Sequence, residues 1–104
     1  MMKQDIAMGL VRVTEAAALC SAKYMGRGDK IAADQAAVDG MEKAFSMLPV
    51  RGTVVIGEGE LDNAPMLYIG QKLGIGQDDM VEMDIAVDPL DGTALIAKGL
   101  PNAI

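Results

Sequence analysis
Residues 81–93, VEMDIAVDPLDGT, constrain the fold of this chain more than any other stretch. Val81, Met83, Ile85, Ala86 and Val87 alternate and then run together, the pattern of a strand that becomes buried along its length. The run breaks at Asp88-Pro89. Pro89 fixes its own φ and pushes Asp88 towards extended geometry, so Asp88 is expected at the very end of the strand. Gly92 permits a backbone conformation that a Cβ would resist. The turn therefore holds two carboxylates, Asp88 and Asp91, and one hydroxyl, Thr93, at a strand's C-terminal end. Open α/β sheets place ligands there. With no basic residue close in sequence, such a turn suits a cation.

What precedes this stretch supplies layers to cover it. Ile6, Leu10, Val13, Ala17, Cys20 and Tyr24 recur at helical spacing and predict a helix with one apolar stripe, ended by Gly26-Arg27-Gly28. A second helix is predicted with Ala37, Met41, Ala44 or Phe45, and Leu48 on one face, stopped before Pro49, with Asp34 near its start. Residues 52–56, GTVVI, are β-branched and apolar and predict a buried strand. Pro65 opens a short expected helix through Tyr68 or Ile69, and residues 74–79 form a turn. Residues 94–97 look like one helical turn ended by Gly99, and 101–104 like the entry to another strand. Two helices followed by strands with acids at their ends predict a layered α/β fold. A chain ending as a strand begins is expected to be a fragment.

Composition narrows the function classes. Formal net charge is −6, with nine basic and fifteen acidic residues, and no basic patch is present to neutralise phosphates, so nucleic acid is not an expected partner. No run is long and apolar enough to span a bilayer, so no membrane partner is expected. The lone Cys20 cannot form an internal disulfide and fits a reducing compartment, which makes the cytoplasm the expected location. There is no histidine. Any metal held here is therefore held by oxygen, favouring magnesium, manganese or calcium. The nine methionines read first as core filler.

A second acidic group follows the GTVVI strand: Glu58, Glu60 and Asp62 on a glycine-punctuated loop. Each acid has an ordinary reading by itself. The loop triplet fits a solvated surface, Asp34 fits a helix N-terminus, and Asp88 and Asp91 fit turn residues. The joint pattern is less ordinary. Two strands each deliver acids from their C-terminal ends, with no cationic partner in either region, and that favours a divalent-cation site.

The residues also carry a resemblance. GEGELDNAPMLYIG (57–70), DIAVDPLDGT (84–93), AKGLPNAI (97–104) and VTEAAALCSAKYMGRGDK (13–30) resemble the class II fructose-1,6-bisphosphatases, of the lithium-sensitive, metal-dependent sugar phosphatase superfamily. The acidic loop and the D-P-x-D-G-T turn belong to the wider superfamily, whereas GRGDK and APMLYIG point to class II. The resemblance implies the N-terminal part of a sugar-phosphatase domain over residues 1–104, truncated relative to the family. It implies Mg2+ or Mn2+ held by Asp34, Glu58, Asp88 and Asp91, the last being glutamate in many members. It implies substrate contacts from Lys30, Asp91, Gly92 and Thr93, and it matches Asp62 to the family's acid after GEGE. Ile31 stands where many relatives have asparagine.

The activity so implied is hydrolysis of the 1-phosphate of fructose 1,6-bisphosphate, a reaction of gluconeogenesis. Asp88 would bridge metals, and Thr93, paired with Asp34 or Asp62, would orient or deprotonate the attacking water. Without the resemblance, Thr93 reads as a turn hydroxyl. The competing readings are a phosphatase for another sugar or inositol phosphate, and a non-catalytic divalent-cation-binding fragment. The expected partner is a small sugar bisphosphate, and the complete protein is expected to be a homo-oligomer. This chain alone is expected to be inactive, because the family places its remaining phosphate-holding residues and a further acidic ligand beyond this length.

Overall fold
A computed structural model describes residues 3–59 and 66–104. Asp62, Glu60 and Pro65 lie outside them. The first two elements are α1 (Lys3–Ala22) and α2 (Lys30–Phe45), packed side by side. Along α1, Ile6, Val13 and Ala17 are buried as the periodicity predicts, while Leu10 and Tyr24 pack at the margin of the core. Ser21 rather than Cys20 completes the buried stripe. Its hydroxyl donates to the Ala17 carbonyl at 2.8 Å, so burial leaves that donor satisfied. α2 buries Ala33, Ala37, Val38, Gly40, Met41 and Phe45. Asp29 caps it, accepting from the Ala32 N–H at 3.0 Å, and Asp34 lies near its start, as its fifth residue. The helix ends at Phe45, and Leu48 reaches the core from the turn that follows.

Small residues let the two helices approach closely. A Cβ on Gly40 would lie 2.7 Å from Cys20 Sγ and 2.8 Å from the Ala16 carbonyl oxygen.

The sheet has three strands in the order β2-β1-β3: β1 (Val50–Ile56) at the centre, β2 (Lys72–Leu73) antiparallel to it and β3 (Val81–Ala86) parallel. β1 starts two residues before the predicted strand. Val50 is fully buried, but Arg51 points to the other face, where it meets Glu82 and the Met80 carbonyl, and its charge hid the start of the run. Val50 pairs with Val81, Gly52 with Met83 and Val54 with Ile85; an irregularity between Val54 and Ile56 then aligns Ile56 with Ala86. Val50, Gly52, Val54 and Ile85 face the helices and form the buried layer.

Three expectations are corrected. Residues 66–69 are not helical: Leu67 has φ 56°, and this segment spends its backbone groups across the chain. The Glu58 N–H donates to the Leu67 carbonyl at 2.8 Å, and the Gly70 N–H to that of Val54 at 2.7 Å. Residues 101–104 form no strand; Ile104 and Asp91 exchange two backbone hydrogen bonds instead, of 2.9 and 2.6 Å. β3 is also less buried than its apolar run suggests, with Val81 exposed and Met83 half-buried, because among the described residues it is paired on one side only. The short helix α3 (Thr93–Ala97) matches the expected single turn and buries Ile96 and Ala97.

No helix of the described residues is long and apolar enough to cross a membrane.

Gly40→Ala tests the helix contact. Alanine gains about 1 kcal/mol in helix propensity, yet a crowded core loses about 1–3 kcal/mol per added methyl. Because the Ala16 carbonyl is backbone and cannot rotate away, crowding wins. The urea midpoint should fall; a midpoint that rises would show the helices have room.

Candidate metal centre
Parallel pairing of β1 and β3 brings their C-terminal ends out side by side. The ladder continues past the strands, the Val87 N–H donating to the Ile56 carbonyl at 2.9 Å. Glu58 and Asp88 each sit two residues beyond their strands, so both acids emerge at one edge of the sheet. Gly57 makes room for this on the β1 side. A Cβ there would run into the Leu67 carbonyl oxygen, the same oxygen that accepts from the Glu58 N–H. On the β3 side, Pro89 and Leu90 are buried beneath the turn, and Asp88 Oδ1 accepts from the Leu90 N–H at 3.3 Å. Asp34 enters from α2.

Asp34 and Glu58 lie near enough to shift each other's proton binding. Burial raises the Glu58 carboxyl to about 7, and the negative charge of Asp34, their mutual hydrogen bond and the charge of Asp88 push the same way. Asp34 is raised as well, chiefly by burial and further by Asp88, against the hydrogen bond with Glu58, which favours its charged form. Two carboxyls can share a hydrogen bond only if one keeps a proton. Glu58 Oε1 is nevertheless buried with no hydrogen-bond partner among the described residues. Their ion pairs, Arg12–Glu15 and Arg51–Glu82, involve none of these acids.

Asp34, Glu58 and Asp88 thus form an acidic group without a basic counterpart, and its all-oxygen donors fit a hard divalent cation in kind. The orphaned Glu58 oxygen fits as well. No three acids among the described residues converge closely enough to ligate one ion as they stand. Asp91 lies in the same turn as Asp88, exposed, with its backbone tied to Ile104; it is not among the groups that shift Asp34 or Glu58. Lys30 is exposed at the first position of α2, one turn before Asp34 and on its face of the helix. Thr93 is half-buried at the first position of α3, after Gly92 at φ 85°. Asp62 lies outside the described residues. The sequence reading missed the part played by Leu67, which anchors the acid loop; its local signal was Gly57 between an apolar strand and Glu58.

A sequence model of the family described as bacterial fructose-1,6-bisphosphatase, glpX-encoded, matches residues 4–104. The chain belongs to this family. Among curated relatives of this bisphosphatase family, it is 52% identical over 103 residues to "Fructose-1,6-bisphosphatase 1 class 2" of Escherichia coli (strain K12). The alignment covers 99% of this chain and 30% of that relative. The same figures hold for "Fructose-1,6-bisphosphatase class 2" of Escherichia coli O6:H1 and of Shigella flexneri. The chain therefore spans less than a third of the length of these bisphosphatases, a span that includes Asp34, Glu58 and Asp88.

The raised Glu58 carboxyl sets a pH dependence for the cation-free chain. Its folded value, about 7, exceeds the ordinary 4.5. The folded state therefore holds this proton more tightly, and the associated stability is full below about pH 4.5 and lost as pH rises through 7. Asp34 acts in the same direction. Glu58→Gln should melt a few degrees above wild type at pH 8 in EDTA, with the gap closing near pH 5. A gap that widens on acidification would mean the carboxyl is stabilised in its charged form.

Proposed function
We propose that this chain is the N-terminal part of a metal-dependent phosphatase that hydrolyses the 1-phosphate of fructose 1,6-bisphosphate, giving fructose 6-phosphate and phosphate as in gluconeogenesis. The observation that carries the reading is the emergence of Glu58 and Asp88 at two parallel strand ends with Asp34 of α2 beside them, in a chain that matches the family over residues 4–104. The cytoplasm fits the free Cys20.

Magnesium or manganese held by Asp34, Glu58 and Asp88, with Asp91 from the same turn, would neutralise charge on the phosphoryl oxygens and the leaving oxygen. The chain's own groups do the rest. Lys30, on the face of α2 that bears Asp34, offers an ammonium to a phosphate oxygen. Gly92, left-handed, brings backbone close to the ligand without a Cβ in the way. Thr93 Oγ1 orients the attacking water and takes part in removing its proton, passing it to a carboxylate such as Asp34 or Asp62. The water oxygen forms its bond to phosphorus as the ester bond to the sugar oxygen breaks, and that oxygen takes a proton from solvent water as it leaves. A cation held by Glu58 would need its carboxyl deprotonated, so occupancy should rise with pH.

The test is a transplant. This chain replaces the corresponding N-terminal region of the Escherichia coli class 2 relative, and phosphate release from fructose 1,6-bisphosphate is followed with manganese. The chimaera should turn over, lose activity in EDTA and lose about 100-fold or more in kcat on Asp88→Asn. Thr93→Ala should lower kcat while manganese affinity stays near wild type. A chimaera that is folded, binds manganese and releases no phosphate from this substrate while hydrolysing another sugar phosphate would reassign the substrate. Asp88→Asn turnover equal to wild type would remove Asp88 from the site.

A further inference from the structure
The loop between α1 and α2 reaches across to the end of α3. Gly26 and Gly28 stand at φ 73° and 75°, a backbone that presents both N–H groups to one side. The Gly26 N–H donates to the Ile96 carbonyl at 2.7 Å, and the Gly28 N–H to that of Ala97 at 2.8 Å. Both carbonyls lie in the last turn of α3, where that of Ile96 also accepts from the Gly99 N–H at 3.0 Å. Gly99, at φ 70°, backs onto the same loop: a Cβ on it would lie 3.4 Å from Gly26 Cα. Two glycine loops, distant in sequence, are thus clasped.

The clasp contributes little to the core. Gly26, Gly28 and Gly99 are all exposed, and exposed backbone hydrogen bonds exchange readily with water. Its geometry is more telling. Gly28 immediately precedes the Asp29 cap of α2, the helix that carries Lys30 and Asp34. α3 begins at Thr93, immediately after the turn that carries Asp88 and Asp91. The clasp therefore ties together the two segments whose acids have to meet, away from the acids themselves.

We propose that the Gly26–Gly28 loop is a positioning element of the cation site, holding α2 and its Lys30 and Asp34 in place against the Asp88–Thr93 turn by capping α3. This rests on the reading in which Asp34 and Asp88 hold a cation. Gly28 offers a clean handle, because no atom lies within 4 Å of where its Cβ would be. Substitution there acts through backbone conformation alone. Asparagine tolerates the left-handed region, whereas valine resists it.

The experiment is a manganese titration of the chimaera described above, read from the electron paramagnetic resonance of the free ion well below the melting temperature, with folding checked by circular dichroism. Gly28→Asn should bind as wild type does, and Gly28→Val about threefold to tenfold more weakly. A merely structural role would lower the cation-free melting temperature of Gly28→Val and leave the affinity of the folded protein unchanged. Unchanged affinity in folded Gly28→Val, or equal weakening in Gly28→Asn, overturns the proposal. Should Gly28→Val not fold, Gly28→Ala, with a smaller conformational penalty, is judged by the same criterion. If wild type binds no manganese, or Asp88→Asn does not weaken binding, the cation reading falls and the positioning role with it. If wild type binds through Asp88 and the Gly28 series is flat, only the positioning role falls.

Discussion
The parallel pairing of β1 with β3 is the constraint on which the acidic group depends. Left to themselves, carboxylates separate: two unit charges about 5 Å apart at an effective dielectric near 20 repel by roughly 3 kcal/mol. Here the backbone ladder fixes where Glu58 and Asp88 emerge, and the ladder is held from below. Val50 and Val54 are essentially inaccessible to water, and Ile85 lies over Gly52. Full burial of each such side chain stabilises by about 1.5–3 kcal/mol. Several of them outweigh one pairwise repulsion, so the chain can hold its acids together before any cation arrives. The raised Glu58 and Asp34 carboxyls are the residue of that contest.

The connection between the parallel strands is unusual in kind. Residues 57–80 make the crossover without a helix among those described, and the two-residue β2 returns antiparallel beside β1. This arrangement has a consequence for Glu58. A helical crossover would leave the loop after β1 free to choose its path, whereas here Leu67 and Gly70 return to it and fix the acid's backbone through the Leu67 carbonyl. Leu67, fully buried, adds an apolar anchor to the same point. The residues on either side of the acid loop are thus bonded to each other, Glu58 to Leu67 and Ile69 to Gly59.

Much of this was legible in the sequence, and what was not has physical causes. The helices announced themselves because an apolar stripe at a 3.6-residue period buries one face of a helix and would scatter over both faces of a strand. Asp88 announced itself because proline and glycine punctuate its turn. Acids at the ends of two strands could be read, but that the strands are parallel neighbours could not; register is a property of pairing. β2 escaped notice because two residues have no period. Pro65 with a following apolar run looked like a helix start, yet the glycines at 70 and 74 take positive φ and the segment bonds to β1 instead. The boundary of α2 was misjudged by treating Leu48 as helical, since a residue in a turn can face the same core as the helix before it. The identity of the third carboxyl partner was legible only through the family resemblance, because Asp34 alone looks like any acid near a helix start.

The charge balance joins stability to binding. With a net charge of −6, this chain by itself would repel an approaching anion. Its described ion pairs lie elsewhere: Arg51 is engaged with Glu82, and Arg12 with Glu15. Lys30 is the basic side chain nearest in sequence to Asp34, and one ammonium cannot offset three carboxyls. A divalent cation would change both quantities at once. It would remove the repulsion among Asp34, Glu58 and Asp88 and displace the proton held between the first two, so part of the binding free energy appears as folding stability. It would also turn a negative edge of the sheet into one that attracts phosphate. The like-charge crowding that weakens the cation-free fold is therefore the same feature that would give the site affinity for a cation, and removing one would remove the other.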